Sequence, residues 1–194
     1  MEKSSHITEV ATSWRRERAD IDLANFLLSI YVMRLGRVVD DAYDRTCRKK
    51  YGISGADMRV IFALRRAGKP YARRPTDLYR ALLVTSGAIT KQVDRLSALE
   101  LVERVEDEQS SSAGILIQLT TKGVKVANSA TELLASESPI APGVRSLSRS
   151  DRSSVSAFVE KILIELEAAA TEKPAGKTRR SRTKGKRSRD TAPA

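Results

Sequence analysis

Cysteine and histidine each occur once in the 194 residues, as Cys47 and His6, and tryptophan once, as Trp14. A single cysteine excludes an intramolecular disulfide framework. A lone histidine with no partner at ligand spacing offers neither a zinc site nor a Ser-His-Asp constellation. No phosphate-binding loop and no nucleophile with its base is present either, so an enzyme has no support, and no catalytic residue, metal or cofactor is expected. Long apolar runs are also missing. The stretch from Leu23 to Met33, closed by Asp22 and Arg34, falls far short of the roughly 20 residues a spanning helix needs, so no membrane segment is expected. Nothing at the N-terminus reads as a leader peptide. A reducing cytoplasm is the expected compartment, with Cys47 an inert thiol.

What is present in excess is positive charge, +11 over the chain. Such a balance points to a polyanionic partner. Its placement is uneven, because residues 171–194 hold nine Lys and Arg against Glu172 and Asp190. That segment has no apolar periodicity and cannot bury enough surface to offset its ordering entropy, so it reads as a disordered basic tail. The rest of the chain must show its character through pattern.

Residues 1–19 are polar, with Trp14 their one large apolar group, and read as an N-terminal extension. Between Ile21 and Lys49, Leu28, Val32, Leu35, Val39 and Ala42 recur every three to four residues, and Phe26, Ile30 and Met33 form a second face. The pattern predicts a long helix buried on two sides. Ser54 with Asp57 three residues on opens a short helix that Gly68 closes. Pro75 suits a first helical position and starts a third helix ending near Val84. Thr85 or Ser86 caps a fourth, where Ile89, Val93 and Leu96 make a core stripe. LVERVED and GILIQLT, separated by EQSSSA, read as a two-stranded hairpin with a long tip. Helices over about 121–135 and 151–169 follow, with Pro139, Pro142 and Gly143 breaking the chain between them.

A short helix, a tight turn and a second helix with a polar outer face is the geometry that seats the second helix in the major groove of DNA. Here Ser86, Gly87, Thr90 and Lys91 would let backbone and side chains approach base edges or phosphates, behind the cap at Thr85. Arg95 suits a phosphate. By pattern alone these residues are equally those of an ordinary solvated helix. Arg73 and Arg74 are either phosphate clamps or a solvated loop. Asp94 would be repelled by phosphates and reads as the partner of a nearby arginine.

The order of elements, and above all LLVTSGAITKQVDRLSALELVER followed by a hairpin and LTTKG, resembles the MarR family of transcriptional regulators over roughly residues 21–166. The resemblance implies a mainly α fold with a small β-hairpin wing. It also implies a winged helix-turn-helix over residues 20–170, with N- and C-terminal dimerisation helices. A homodimer would then present two recognition helices to double-stranded DNA, with half-sites one helical turn apart. SWRRERADIDL and PTDLYRALLVTSGAITK are similar to the urate-responsive, PecS-like branch, whose ligand site the resemblance implies near Trp14 and Arg80. By pattern alone Trp14 is equally a packing anchor and Arg80 a surface residue. Two positions depart from that branch: Arg59 replaces an acidic residue and Gln92 an arginine, which argues against urate itself. The wing tip EDEQSSSAG lacks the family's basic residue. The expected function is sequence-specific regulation, as a repressor released by a small, anionic aromatic effector. The other expectation is an architectural, nucleoid-type protein that holds DNA broadly through its basic arm.

Overall fold

The computed structural model describes residues 5–107 and 114–171. The hairpin tip and the basic tail from residue 172 onward lie outside the described residues. The chain divides into two compact units, one ending at Gly143 and the next beginning at Val144.

The first unit opens with α1 (His6–Glu17). The N-terminal extension is therefore largely helical. It docks through Ala11, which is buried with Leu23 and Leu27, and through Trp14, whose ring meets Phe26 edge-on with centroids 5.0 Å apart. The long helix α2 (Ala24–Tyr51) follows, with Arg48, Lys49 and Lys50 in its last turn, where they complement the helix dipole. It stops at Gly52, whose φ of 70° belongs to the left-handed region that a Cβ disfavours, and whose N–H donates to the Arg48 carbonyl. The two buried faces expected of this helix are corrected by the structure. Within one chain only Leu27 and Cys47 of α2 are buried, while Phe26, Leu28, Val32, Met33, Leu35 and Val38 are exposed.

α3 (Gly55–Arg65) is the centre of the core, burying Met58, Val60, Ile61, Ala63 and Leu64. Ser54 caps it as expected: its Oγ accepts from the Asp57 N–H at 3.0 Å and donates to the Asp57 carboxylate at 2.6 Å. α4 (Pro75–Ala81) and α5 (Ser86–Ala98) pack beside it. The sheet has three strands rather than two. β2 (Val102–Glu106) and β3 (Ile115–Leu119) form the antiparallel hairpin, and the two-residue β1 (Ala72–Arg73) pairs with the outer edge of β3. α6 (Thr121–Ser136) starts at Thr120, whose Oγ1 accepts from the Gly123 N–H and donates to the Glu100 carbonyl. A short turn, α7 (Ala141–Val144), occupies the Pro- and Gly-rich break.

The second unit holds α8 (Arg149–Thr171). Ser148 closes its first turn, accepting from the Asp151 N–H and donating to its carboxylate. Val155, Phe158, Val159, Leu163, Ile164 and Leu166 are all exposed. No helix of the described residues is long and apolar enough to cross a membrane.

Candidate nucleic-acid interface

Pro75 sits at the start of α4, where a missing N–H costs nothing and a fixed φ helps. Leu78, fully buried, anchors this short helix to the core. The chain then turns within Leu82, Leu83 and Val84. The Leu83 N–H donates to the Arg80 carbonyl and the Val84 N–H to the Tyr79 carbonyl. Leu83 takes a left-handed φ of 53° with its side chain 83% exposed. Thr85, not Ser86, is the cap of α5, its Oγ1 accepting from the Ala88 N–H at 3.2 Å.

α5 is amphipathic in the way a reading helix requires. Ile89, Val93 and Leu96 are buried, while Ser86, Gly87, Thr90, Lys91 and Asp94 face out. Nothing lies within 4 Å of where a Gly87 Cβ would stand, so the backbone of the first turn is bare to an approaching partner. Thr90 donates its hydroxyl proton to the Ser86 carbonyl, which leaves its oxygen lone pairs outward. Neither Lys91 nor Arg73 forms an ion pair among the described residues. The structure thus brings Thr85, Ser86, Gly87, Thr90 and Lys91 onto one open surface.

The other basic positions are engaged within the chain. Arg95 grips Asp57 through Nη2 (2.6 Å) and Nε (3.3 Å). The Asp57 side chain is only 6% exposed, so this charge pair locks α5 to the first turn of α3. The hydrogen bond raises the Arg95 pKa, leaving it charged at any working pH. About half of the Arg95 side chain remains open, and its free N–H groups can still reach a phosphate. Arg74 closes on Asp107 through Nη2 (2.7 Å) and Nε (3.1 Å), tying the start of α4 to the tip end of the wing strand β2. Asp94 does accept from an arginine, Arg104, at 2.6 Å. Arg73 lies in β1 opposite Ile117, not in a loop.

Trp14 and Arg80 occupy α1 and α4, and each has an aromatic neighbour: Trp14 packs on Phe26, and the Arg80 guanidinium lies 5.9 Å from the Tyr79 ring centre. Neither lines the cleft of about 460 Å³ that opens between α2, α3 and α6, walled by Val39, Asp40, Tyr43, Arg59, Phe62 and Leu134. In that cleft Arg59 pairs with Asp40 and stands 5.3 Å over the Tyr43 ring. Gln92 faces inward, and its Oε1 has no hydrogen-bond partner among the described residues. Cys47 is buried beside Tyr43. Desolvation pushes both the thiol and the phenol up, so both stay protonated. No cluster of metal-ligating side chains exists among the described residues.

Sequence reasoning missed the Asp57 grip on Arg95, since the partners are 38 positions apart. It also gave Leu83 no role, although a large apolar residue two places before a cap is a visible signal.

With this geometry in hand, the comparisons fall on the same region. The MarR family profile matches residues 51–110. The HTH-type transcriptional regulator PecS of Dickeya dadantii (strain 3937) is 29% identical over 132 residues, spanning 68% of this chain and 78% of that protein. A Cys-to-Ser variant of MarR from E. coli, complexed with operator DNA, superposes with a TM-score of 0.60 at 22% identity. The match covers 74% of this chain and 99% of that one. The transcriptional regulator BldR from Sulfolobus solfataricus superposes equally well, with a TM-score of 0.60 at 22% identity over 74% and 96% of the two chains.

Proposed function

We propose that the chain is a transcriptional regulator of the MarR type, to which its residues 51–110 and its likeness to PecS point, and that it acts as a homodimeric repressor. It binds a pseudo-palindromic operator in the cytoplasm and lets go when a small anionic aromatic molecule binds. The observation that carries the reading is the open first half of α5, where Thr85, Ser86, Gly87, Thr90 and Lys91 share one polar surface on a helix whose other face is core. Residues at that end of a recognition helix meet base edges in the major groove. The similar MarR of E. coli has been seen with operator DNA. Arg73 and the free N–H groups of Arg74 and Arg95 add phosphate contacts around it.

The homodimer accounts for the apolar side chains that α2 and α8 leave exposed, since monomers rarely leave so much apolar surface uncovered. The effector reading rests on the cleft at Arg59. A planar anion fits there with its ring against Tyr43 and Phe62 and its charge on the Arg59 guanidinium, in place of Asp40. Trp14 and Arg80 are the alternative ligand contacts.

Fluorescence anisotropy tests the reading. Full-length protein is titrated onto its own promoter region and onto scrambled duplex, with and without an aromatic carboxylate such as salicylate, and with urate. The expected result is preference for the promoter duplex, loss of that preference on adding ligand, and insensitivity to ligand in Arg59→Ala. Release abolished by Arg80→Ala instead would move the effector to the Trp14 and Arg80 surface. Equal binding of both duplexes, unaffected by ligand, would replace the repressor with an architectural protein. The internal neutralisation of Arg74, Arg95 and Arg104 by carboxylates speaks against such charge-only binding by the folded part.

A further inference from the structure

Leu83 is the most exposed large apolar side chain among the described residues, and it stands where one is least expected. Its backbone is left-handed, a conformation that glycine or asparagine adopts at lower cost. An apolar group there gains nothing from the core, since 83% of it meets solvent. Two unfavourable features at one position, both removable by a single change to glycine, point to a contact that is absent in the free chain.

The surroundings of Leu83 say what that contact is. It stands two positions before Thr85, the cap of α5, and the exposed residues that follow in the chain, Thr85, Ser86 and Gly87, are polar or bare backbone. Its apolar chain neighbours, Leu82 and Val84, are half-buried against the core rather than fully exposed beside it. The one apolar group that major-groove DNA offers at a base edge is the C5-methyl of thymine, and apolar side chains read it by contact. We infer that Leu83 is a specificity-determining residue that recognises a thymine C5-methyl at the edge of each half-site, beside the bases met by the first turn of α5. The inference rests on the DNA-binding reading above and adds to it a named side chain and a named base feature.

The test uses full-length protein and a duplex enriched by that protein from a random-sequence pool. Each thymine is replaced in turn by 2′-deoxyuridine, which lacks only the methyl. The expected result is one thymine per half-site whose loss weakens binding about four-fold, the factor for returning one methyl-sized apolar contact to water. With both half-sites changed, the loss is roughly fifteen-fold on the same scale. Leu83→Ala loses a similar amount on the thymine duplex and no longer distinguishes uracil from thymine at that position, whereas Leu83→Met still does. Unchanged thermal unfolding of Leu83→Ala guards against misfolding. Equal responses of the wild-type and Leu83→Ala proteins to every uracil would overturn the inference while leaving DNA recognition standing. A pool from which no duplex is enriched would sink the DNA-binding reading and this inference together.

Discussion

At the scale of single residues, the most consequential pair is Asp57 with Arg95. Asp57 is almost wholly buried, its carboxylate accepting from the Ser54 hydroxyl and the Arg95 guanidinium while its N–H donates to Ser54 Oγ. Arg95→Ala leaves that carboxylate under protein without its cation, so it should cost about 1–3 kcal/mol of folding stability, read as a lower urea midpoint. Arg95→Lys should recover only part, because an ammonium cannot reproduce the two-pronged grip. Cys47 and Tyr43 set a limit at the other end of the pH scale. Burial holds both in their protonated forms in the folded chain, whereas in the unfolded chain they ionise near their ordinary values of about 8.5 and 10. As pH rises through that range the unfolded state sheds protons that the folded state keeps, so stability falls with rising pH and is unaffected below it. Urea melts at pH 7, 9 and 10 should show the decline, reduced in Cys47→Ala. Native protein at pH 8 should resist thiol reagents that label the unfolded chain at once.

At the scale of elements, two glycines predict opposite outcomes. Gly123 lies in the first turn of α6 against the wing, and a Cβ there would stand 2.0 Å from the Leu101 carbonyl oxygen, a backbone atom that cannot yield cheaply. Gly123→Ala should therefore destabilise by about 3 kcal/mol, the upper range of overpacking, visible as a large fall in Tm. Gly87 has open space instead. Gly87→Ala should leave Tm unchanged or raise stability by up to about 1 kcal/mol through helix propensity, while weakening operator binding because the added methyl keeps DNA off the first turn of α5.

The elements also show which parts of the fold could be read from the sequence. Helices α3, α4 and α5 were legible because their ends carry local signals: the Ser54 cap, Pro75, the Thr85 cap and Gly68. β1 was not, since a two-residue strand exists only through pairing with β3, more than forty positions away. The same non-locality hid the partners of Arg74 and Arg95. Their side chains could be assigned to a DNA-facing neighbourhood, but not to the carboxylates of Asp107 and Asp57 that hold them. The apolar faces of α2 were legible as faces, but not as surfaces that a single chain leaves uncovered, because periodicity does not state what does the covering.

At the scale of the whole molecule, the exposed apolar side chains of α2 and α8 make association the expected state. Phe158→Glu should shift the protein toward monomer in sedimentation velocity at micromolar concentration. Operator affinity should fall with it, since one recognition helix then meets one half-site without the second. Binding of wild-type protein should weaken steeply with salt, and the slope should shrink by about 1 for Lys91→Ala if that side chain neutralises one phosphate.

The first turn of α3 has a mechanical meaning for that assembly. On one side Asp44 of α2 accepts from the Gly55 N–H at 2.8 Å, and on the other Asp57 holds Arg95 of α5. Two polar pins thus meet at one joint, linking the long helix to α5 through the first turn of α3. Asp44→Ala and Asp57→Ala should each leave a folded protein whose two reading heads lose their set spacing, so that duplexes with half-sites moved one base pair apart are no longer discriminated from the native spacing.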